Sequence, residues 1–284
     1  MKRFAALLLL VILAAGLLYT AGGAEGTPEI GEAEDTVMRL PDEVLMTYFD
    51  DTMFVGDSQL AKFRNYVKKQ WKEKEWFFSN VDFRAENSYL FRFVGYTYIP
   101  RAEKHLIHLT DGGEDTTLYD LVKKKHPQKI FVLAGLNDAL TTDYTMDVQG
   151  RDETGYDRAA RYVREMTELV REVSPETEIF VISQMPVARG FYQGSSDCYA
   201  CRDRFDLVNT TVQAECEKLG IRYLDLATGL KDEEGLMPEE YCEGGSFHLN
   251  DAGYAVFARE LLDFAQAEYE AGRWTPGSGS VPEE

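Results

Sequence analysis

Three places in the chain set a polar side chain where an apolar run stops or a helix begins. The first is Phe54-Val55-Gly56-Asp57-Ser58-Gln59, in which a strand-like run breaks at a glycine and presents a serine just ahead of a charged, helix-like stretch. A hydroxyl in that position is exposed, and the N–H groups of the helix start favour negative charge developing beside it. Asp and Ser are also the ordinary caps of helices, so the segment alone has a second, structural explanation. The second place is Leu133-Ala134-Gly135-Leu136-Asn137-Asp138. The Asn137 amide suits an oxyanion donor there, and an Asn-Asp turn capping a short segment explains the same residues. The third is Phe247-His248-Leu249-Asn250-Asp251, with an imidazole just before a long C-terminal helix. Histidine is the usual group that takes a proton from a serine hydroxyl near neutral pH. His105 and His108 have H-x-x-H spacing but no third ligand, so they are read as surface or core residues and no metal is expected.

Taken together in the order Ser, Asn, His, the three segments resemble the SGNH (GDSL-like) hydrolase family. Gly56-Asp57-Ser58 matches its G-D-S block and Gly135-Leu136-Asn137-Asp138 its G-x-N-D block, while His248 with the following Leu-Asn-x-x-Gly-Tyr looks like the last block. The resemblance covers about residues 50 to 265. It implies a three-layer α/β/α sandwich, flavodoxin-like, with a mostly parallel five-stranded sheet in the order 2-1-3-4-5. It also implies an esterase without metal or organic cofactor, in which Ser58 is the nucleophile, His248 its base, and the Ser58 N–H and Asn137 amide hold the oxyanion. Two positions depart from the family. Where a glycine N–H completes the oxyanion hole, Ala85-Glu86-Asn87-Ser88-Tyr89 is the equivalent segment, with Asn87 at the glycine position; Asn tolerates positive φ better than most residues. Three residues before His248, where the family has Asp, stands Gly245. Glu243 is the substitute acid to consider, with Asp251 as its competitor. A backbone carbonyl or the Ser246 hydroxyl would make the site a Ser-His dyad, which is the preferred reading.

The elements that must carry these residues alternate between strand-like and helix-like segments, the mark of an α/β domain with a parallel sheet. Strands are predicted at residues 52–56, 129–134, 178–183 and 221–226, with a weaker one near 80–84. Helices are predicted at 58–74, 118–125, 157–173, 206–219 and from 251 to about 269. Residues 160, 163, 166, 169 and 170 form one apolar helical face. In such sheets ligands bind outside the carboxyl ends of the strands, where all three segments fall.

Length and composition set the boundaries. The chain has 284 residues, 44% hydrophobic and 12% aromatic, which suits one large globular domain with tails. A formal net charge of −19 argues against nucleic acid and acidic lipid surfaces as partners and favours neutral or cationic substrates. Lys2 and Arg3 precede an uncharged apolar run, so residues 1–24 are expected to be an export signal or an N-terminal membrane anchor. Residues 25–38 read as a linker, 39–271 as the hydrolase-like domain and 272–284 as a disordered tail. In an exported chain the four cysteines are expected to be oxidised, most economically as Cys198–Cys201 and Cys216–Cys242. The expected activity is hydrolysis of small acyl esters, acetyl above all, on a small molecule or a polysaccharide. A lipase or lysophospholipase, or a surface carbohydrate-binding protein on the same fold, is the alternative.

Overall fold

The computed structural model describes residues 38–89, 91, 109–140 and 154–277. The expected signal or anchor, nearly all of the linker, the end of the tail, His105 and His108 lie outside the described residues. The chain divides after Met38, and the second unit runs from Arg39 to Glu284.

In chain order the unit contains α1 (Asp42–Met46), β1 (Thr52–Gly56), α2 (Ser58–Gln70), β2 (Val81–Ala85), β3 (Leu109–Asp111) and β4 (Glu114–Thr116). There follow α3 (Leu118–Lys125), β5 (Lys129–Leu133), α4 (Leu136–Leu140), α5 (Gly155–Val173), β6 (Glu178–Ile182), α6 (Cys198–Leu219), β7 (Arg222–Leu224) and α7 (Asp251–Glu270). Five strands form one sheet in the order β2-β1-β5-β6-β7, every pairing parallel. With the separate β3–β4 hairpin set aside, this is the expected 2-1-3-4-5.

Why these runs are strands follows from burial on both faces. Side chains alternate along a strand, and a sheet covered by helices on two sides needs apolar residues at every position. All five residues of β1 and all five of β5 are buried. The register sets Phe54 opposite Phe131 and Phe131 opposite Phe180. Their rings stack across the sheet with centroids 4.8 Å and 4.4 Å apart. That face packs on α2 and α7 through Phe63, Phe257, Leu261 and Leu262. The opposite face, with Met53, Val55, Ile130, Val132, Ile179 and Val181, packs on α5 and α6. β2, paired on one side only, is mostly half-buried, which is why its sequence signal is weak.

Three expectations change. The helix predicted from residue 206 begins at Cys198, because the Asp197 side chain caps it by accepting from the Ala200 N–H at 3.0 Å. The hairpin β3–β4 was not anticipated, although Asp111-Gly112-Gly113 is a turn signal, with both glycines at positive φ. The four cysteines are free thiols, all buried. Cys216 belongs to the core on one face of the sheet and Cys242 to the core on the other, so the sheet separates them. Cys198 and Cys201 sit in the first turn of α6 as reduced residues of its packed face. Burial raises the Cys201 thiol pKa and pushes that of Cys216 up to about 12, which keeps both protonated. Among the described residues no helix is long and apolar enough to cross a membrane.

Candidate active site

β1 ends at Gly56, and the chain turns there directly into α2. A side chain at Gly56 would place its Cβ 2.3 Å from the Leu133 carbonyl oxygen, so only glycine lets the two central strands run together at this level. Asp57 is the N-cap of α2, its Oδ1 accepting from the Gln59 N–H at 2.9 Å. The capping role therefore belongs to Asp57, and Ser58 is the first helical residue. Its own N–H, like the other first-turn donors, has no partner within the helix. The Ser58 hydroxyl lies 2.9 Å from His248 Nε2, across 190 residues of sequence.

His248 reaches that position from a loop held at both ends. The Ser246 hydroxyl accepts from the His248 N–H at 3.0 Å, and the His248 carbonyl accepts from the Glu243 N–H at 2.8 Å. Gly244 and Gly245 both have positive φ, 63° and 71°, which lets the loop double back so tightly. Asn250 then caps α7 by accepting from the Gly253 N–H. Burial lowers the His248 pKa first, the Lys62 charge lowers it further, and the Glu243 carboxylate partly counters both. A neutral imidazole within hydrogen-bond reach of a hydroxyl can take its proton.

The substitute acids are placed differently. Glu243 is exposed and pairs with Lys62 Nζ at 2.5 Å, a contact that lowers its pKa. Asp251 pairs with Lys69 Nζ at 2.9 Å. The Ser246 hydroxyl is engaged by the His248 backbone. Among the described residues, none of these groups makes a hydrogen bond to His248 Nδ1.

Asn137 stands in α4, just past β5, where β5 neighbours β1 and the Leu133 carbonyl accepts from the Asp57 N–H at 3.2 Å. Its Nδ2 donates to the Tyr89 carbonyl at 3.0 Å, which orients the amide and ties α4 to the segment after β2. Asn87 lies in that same segment, exposed, in a turn closed by the Tyr89 N–H donating to the Glu86 carbonyl. The positive φ of 62° falls on Ser88 and not on Asn87. The third residue of such a turn is the one forced into the left-handed region, so the backbone argument for Asn at 87 does not apply.

Sequence reasoning passed over two residues. Gln59, fully buried, donates from Nε2 to the Phe247 carbonyl at 2.5 Å, and the Tyr254 hydroxyl donates to the Gln59 carbonyl at 2.9 Å. The Ser58 turn, the histidine loop and α7 are thus laced together at one residue. The signal available was a polar residue inside the apolar face of α2. The other is Asp57, whose Oδ2 is buried with no partner. Burial, with repulsion from Asp138, pushes its pKa up to about 8.

The sequence model of the GDSL-like lipase/acylhydrolase family matches residues 54–256, from β1 to the first turns of α7. The chain belongs to this family. With membership comes the general activity of an ester hydrolase. No curated protein matches the chain in sequence. Among solved structures, a candidate acylhydrolase from Bacteroides fragilis is similar, with 15% identity and a TM-score of 0.51 over 77% of this chain and 86% of that one. A GDSL-like lipase from Bacteroides thetaiotaomicron shares 12% identity, with a TM-score of 0.50 over 77% of this chain and 88% of the other. A candidate GDSL-like lipase from Parabacteroides merdae shares 13% identity, with a TM-score of 0.51 over 77% and 96%. At these identities the likeness is one of fold.

Proposed function

We propose that this GDSL-like hydrolase is an exported serine esterase acting on small acyl esters, acetyl esters first, carried on a polysaccharide or a small alcohol. The observation that supports the reading is the 2.9 Å contact between Ser58 Oγ and His248 Nε2 at the carboxyl end of the parallel sheet. His248 Nε2 takes the Ser58 proton as Oγ attacks the ester carbonyl. The Ser58 N–H at the start of α2 and the Asn137 amide meet the developing oxyanion. His248 returns its proton to the departing alcohol, and water, activated by the same imidazole, hydrolyses the acyl-enzyme. Export rests on the Lys2-Arg3 start followed by the apolar run to residue 24, and outside the cell an acetylated polysaccharide is an available ester. The acidic net charge of −19 favours such a neutral substrate over an anionic lipid surface.

A fluorophosphonate probe tests the enzyme reading directly. The expected result is one adduct, located at Ser58 by peptide mass spectrometry, lost in Ser58→Ala together with hydrolysis of p-nitrophenyl acetate. Binding of a polysaccharide without any Ser58 adduct would instead make the chain a carbohydrate-binding protein.

A further inference from the structure

Lys62 stands one helical turn after Ser58 on α2, so the two side chains project from the same face. It meets Glu243, whose backbone is tied to His248 by the Glu243 N–H donating to the His248 carbonyl at 2.8 Å. The lysine and the carboxylate are 37% and 56% exposed, so their pairing adds little to stability after solvent screening. What it does fix is the direction of the Glu243 carboxylate, whose charge favours the protonated ring. We propose that Lys62 is a positioning residue for His248: by engaging Glu243 it keeps that carboxylate from Nδ1, and it presents its own positive charge to the ring.

This inference rests on the serine esterase reading and names a part of it that the family pattern does not supply. A family member with Asp three residues before the histidine would have a carboxylate on Nδ1; here Gly245 leaves that place without a side chain. Glu243 is near enough to influence the ring but is turned to Lys62. The ionisable groups around the ring, among the described residues, are few. Lys62 comes from α2 and Glu243 from the loop itself; Asp57, just past β1, and Tyr254, on α7, act on each other, and Glu243 also acts on Tyr254. Lys69 and Asp251, further along α2 and at the start of α7, neutralise each other. The positive charge disfavours imidazolium, so His248 stays a competent base to lower pH than it would beside a free carboxylate.

The test is an NMR titration of the His248 ring in the full chain, with the resonance assigned by its loss in His248→Ala. Lys62→Met should raise the His248 pKa by about half a unit or more, because it removes a cation and frees an anion. Lys62→Arg should keep the wild-type value, Glu243→Gln should lower it, and Lys62→Met/Glu243→Gln should fall between the two single variants. The acid limb of kcat/KM should move in the same directions. An unchanged or lowered value in both Lys62→Met and Lys62→Gln, each shown to be folded by its amide spectrum, would overturn the proposal. So would a shift in Lys62→Arg as large as in Lys62→Met. If Ser58→Ala kept its esterase activity, the enzyme reading would fall while the titration would still decide what Lys62 does to the ring.

Discussion

The two halves of the candidate site are built in different ways. On the serine–histidine side, Gln59 and Tyr254 bind the Ser58 turn, the histidine loop and α7 to one another, and Ser58 Oγ and His248 Nε2 already stand 2.9 Å apart. On the asparagine side, the Asn137 amide donates to the Tyr89 carbonyl, the Glu86 N–H to the Gly56 carbonyl and the Phe91 N–H to the Asp138 carboxylate, while Asn87 itself is exposed. The difference teaches where precision is invested. Both partners of a proton transfer from hydroxyl to imidazole belong to the protein, whereas an oxyanion donor acts on an atom that only the substrate brings.

The comparison breaks most visibly at His248. His248→Ala should remove nearly all hydrolysis of p-nitrophenyl acetate, with a kcat loss on the order of ten thousandfold or more. A variant that keeps a tenth of the wild-type kcat would show that the tied half is only structural.

Next comes the asparagine half. Asn137→Ala should lower kcat about a hundredfold, near 3 kcal/mol of barrier, with a modest change in KM. A rise in KM alone would turn Asn137 into a substrate-binding residue; no change in either constant would leave it as the anchor of the Tyr89 segment.

Asp57 lies where the two halves meet, between the serine and Asp138, and its effect is on stability. Its folded pKa of about 8 stands far above the usual carboxylate value of 3.8, so the folded state holds a proton that the unfolded chain releases. The group's contribution is fully present below pH about 4 and is lost as pH rises through 8, with a slope of up to about 1.4 kcal/mol per pH unit. Asp57→Asn, which can keep the cap, should flatten the decline of urea-unfolding stability between pH 5 and 8. An equally steep decline in the variant would place the proton elsewhere.

The smallest effect is expected at the solvent edge of the tied half. Glu243→Gln should reduce kcat/KM less than tenfold, under about 1.4 kcal/mol, because the carboxylate is paired with Lys62 and makes no bond to the imidazole. A loss close to that of His248→Ala, at unchanged thermal unfolding, would mean that Glu243 orients the ring during turnover.

Much of this was legible in the sequence, and for a local reason. Apolar β-branched and aromatic runs such as Ile130-Phe131-Val132-Leu133 suit strands buried on both faces, and the caps and glycines at Asp57, Asn250 and Gly220 mark helix ends within a residue or two. Alternation of strands and helices marked a parallel sheet, the resemblance to the family implied its order, and the three motif blocks located Ser58, Asn137 and His248. Tertiary structure alone decided the rest, because each remaining feature depends on which strands adjoin and at what register. Ser58 and His248 meet only because β1 lies inside the sheet beside α7's entry loop. Cys216 and Cys242, close in sequence and permitted to pair, are kept apart because the sheet runs between them. The lacing by Gln59 and the turning of Glu243 toward Lys62 join groups 181 or more residues apart. No local pattern encodes a distance across a sheet.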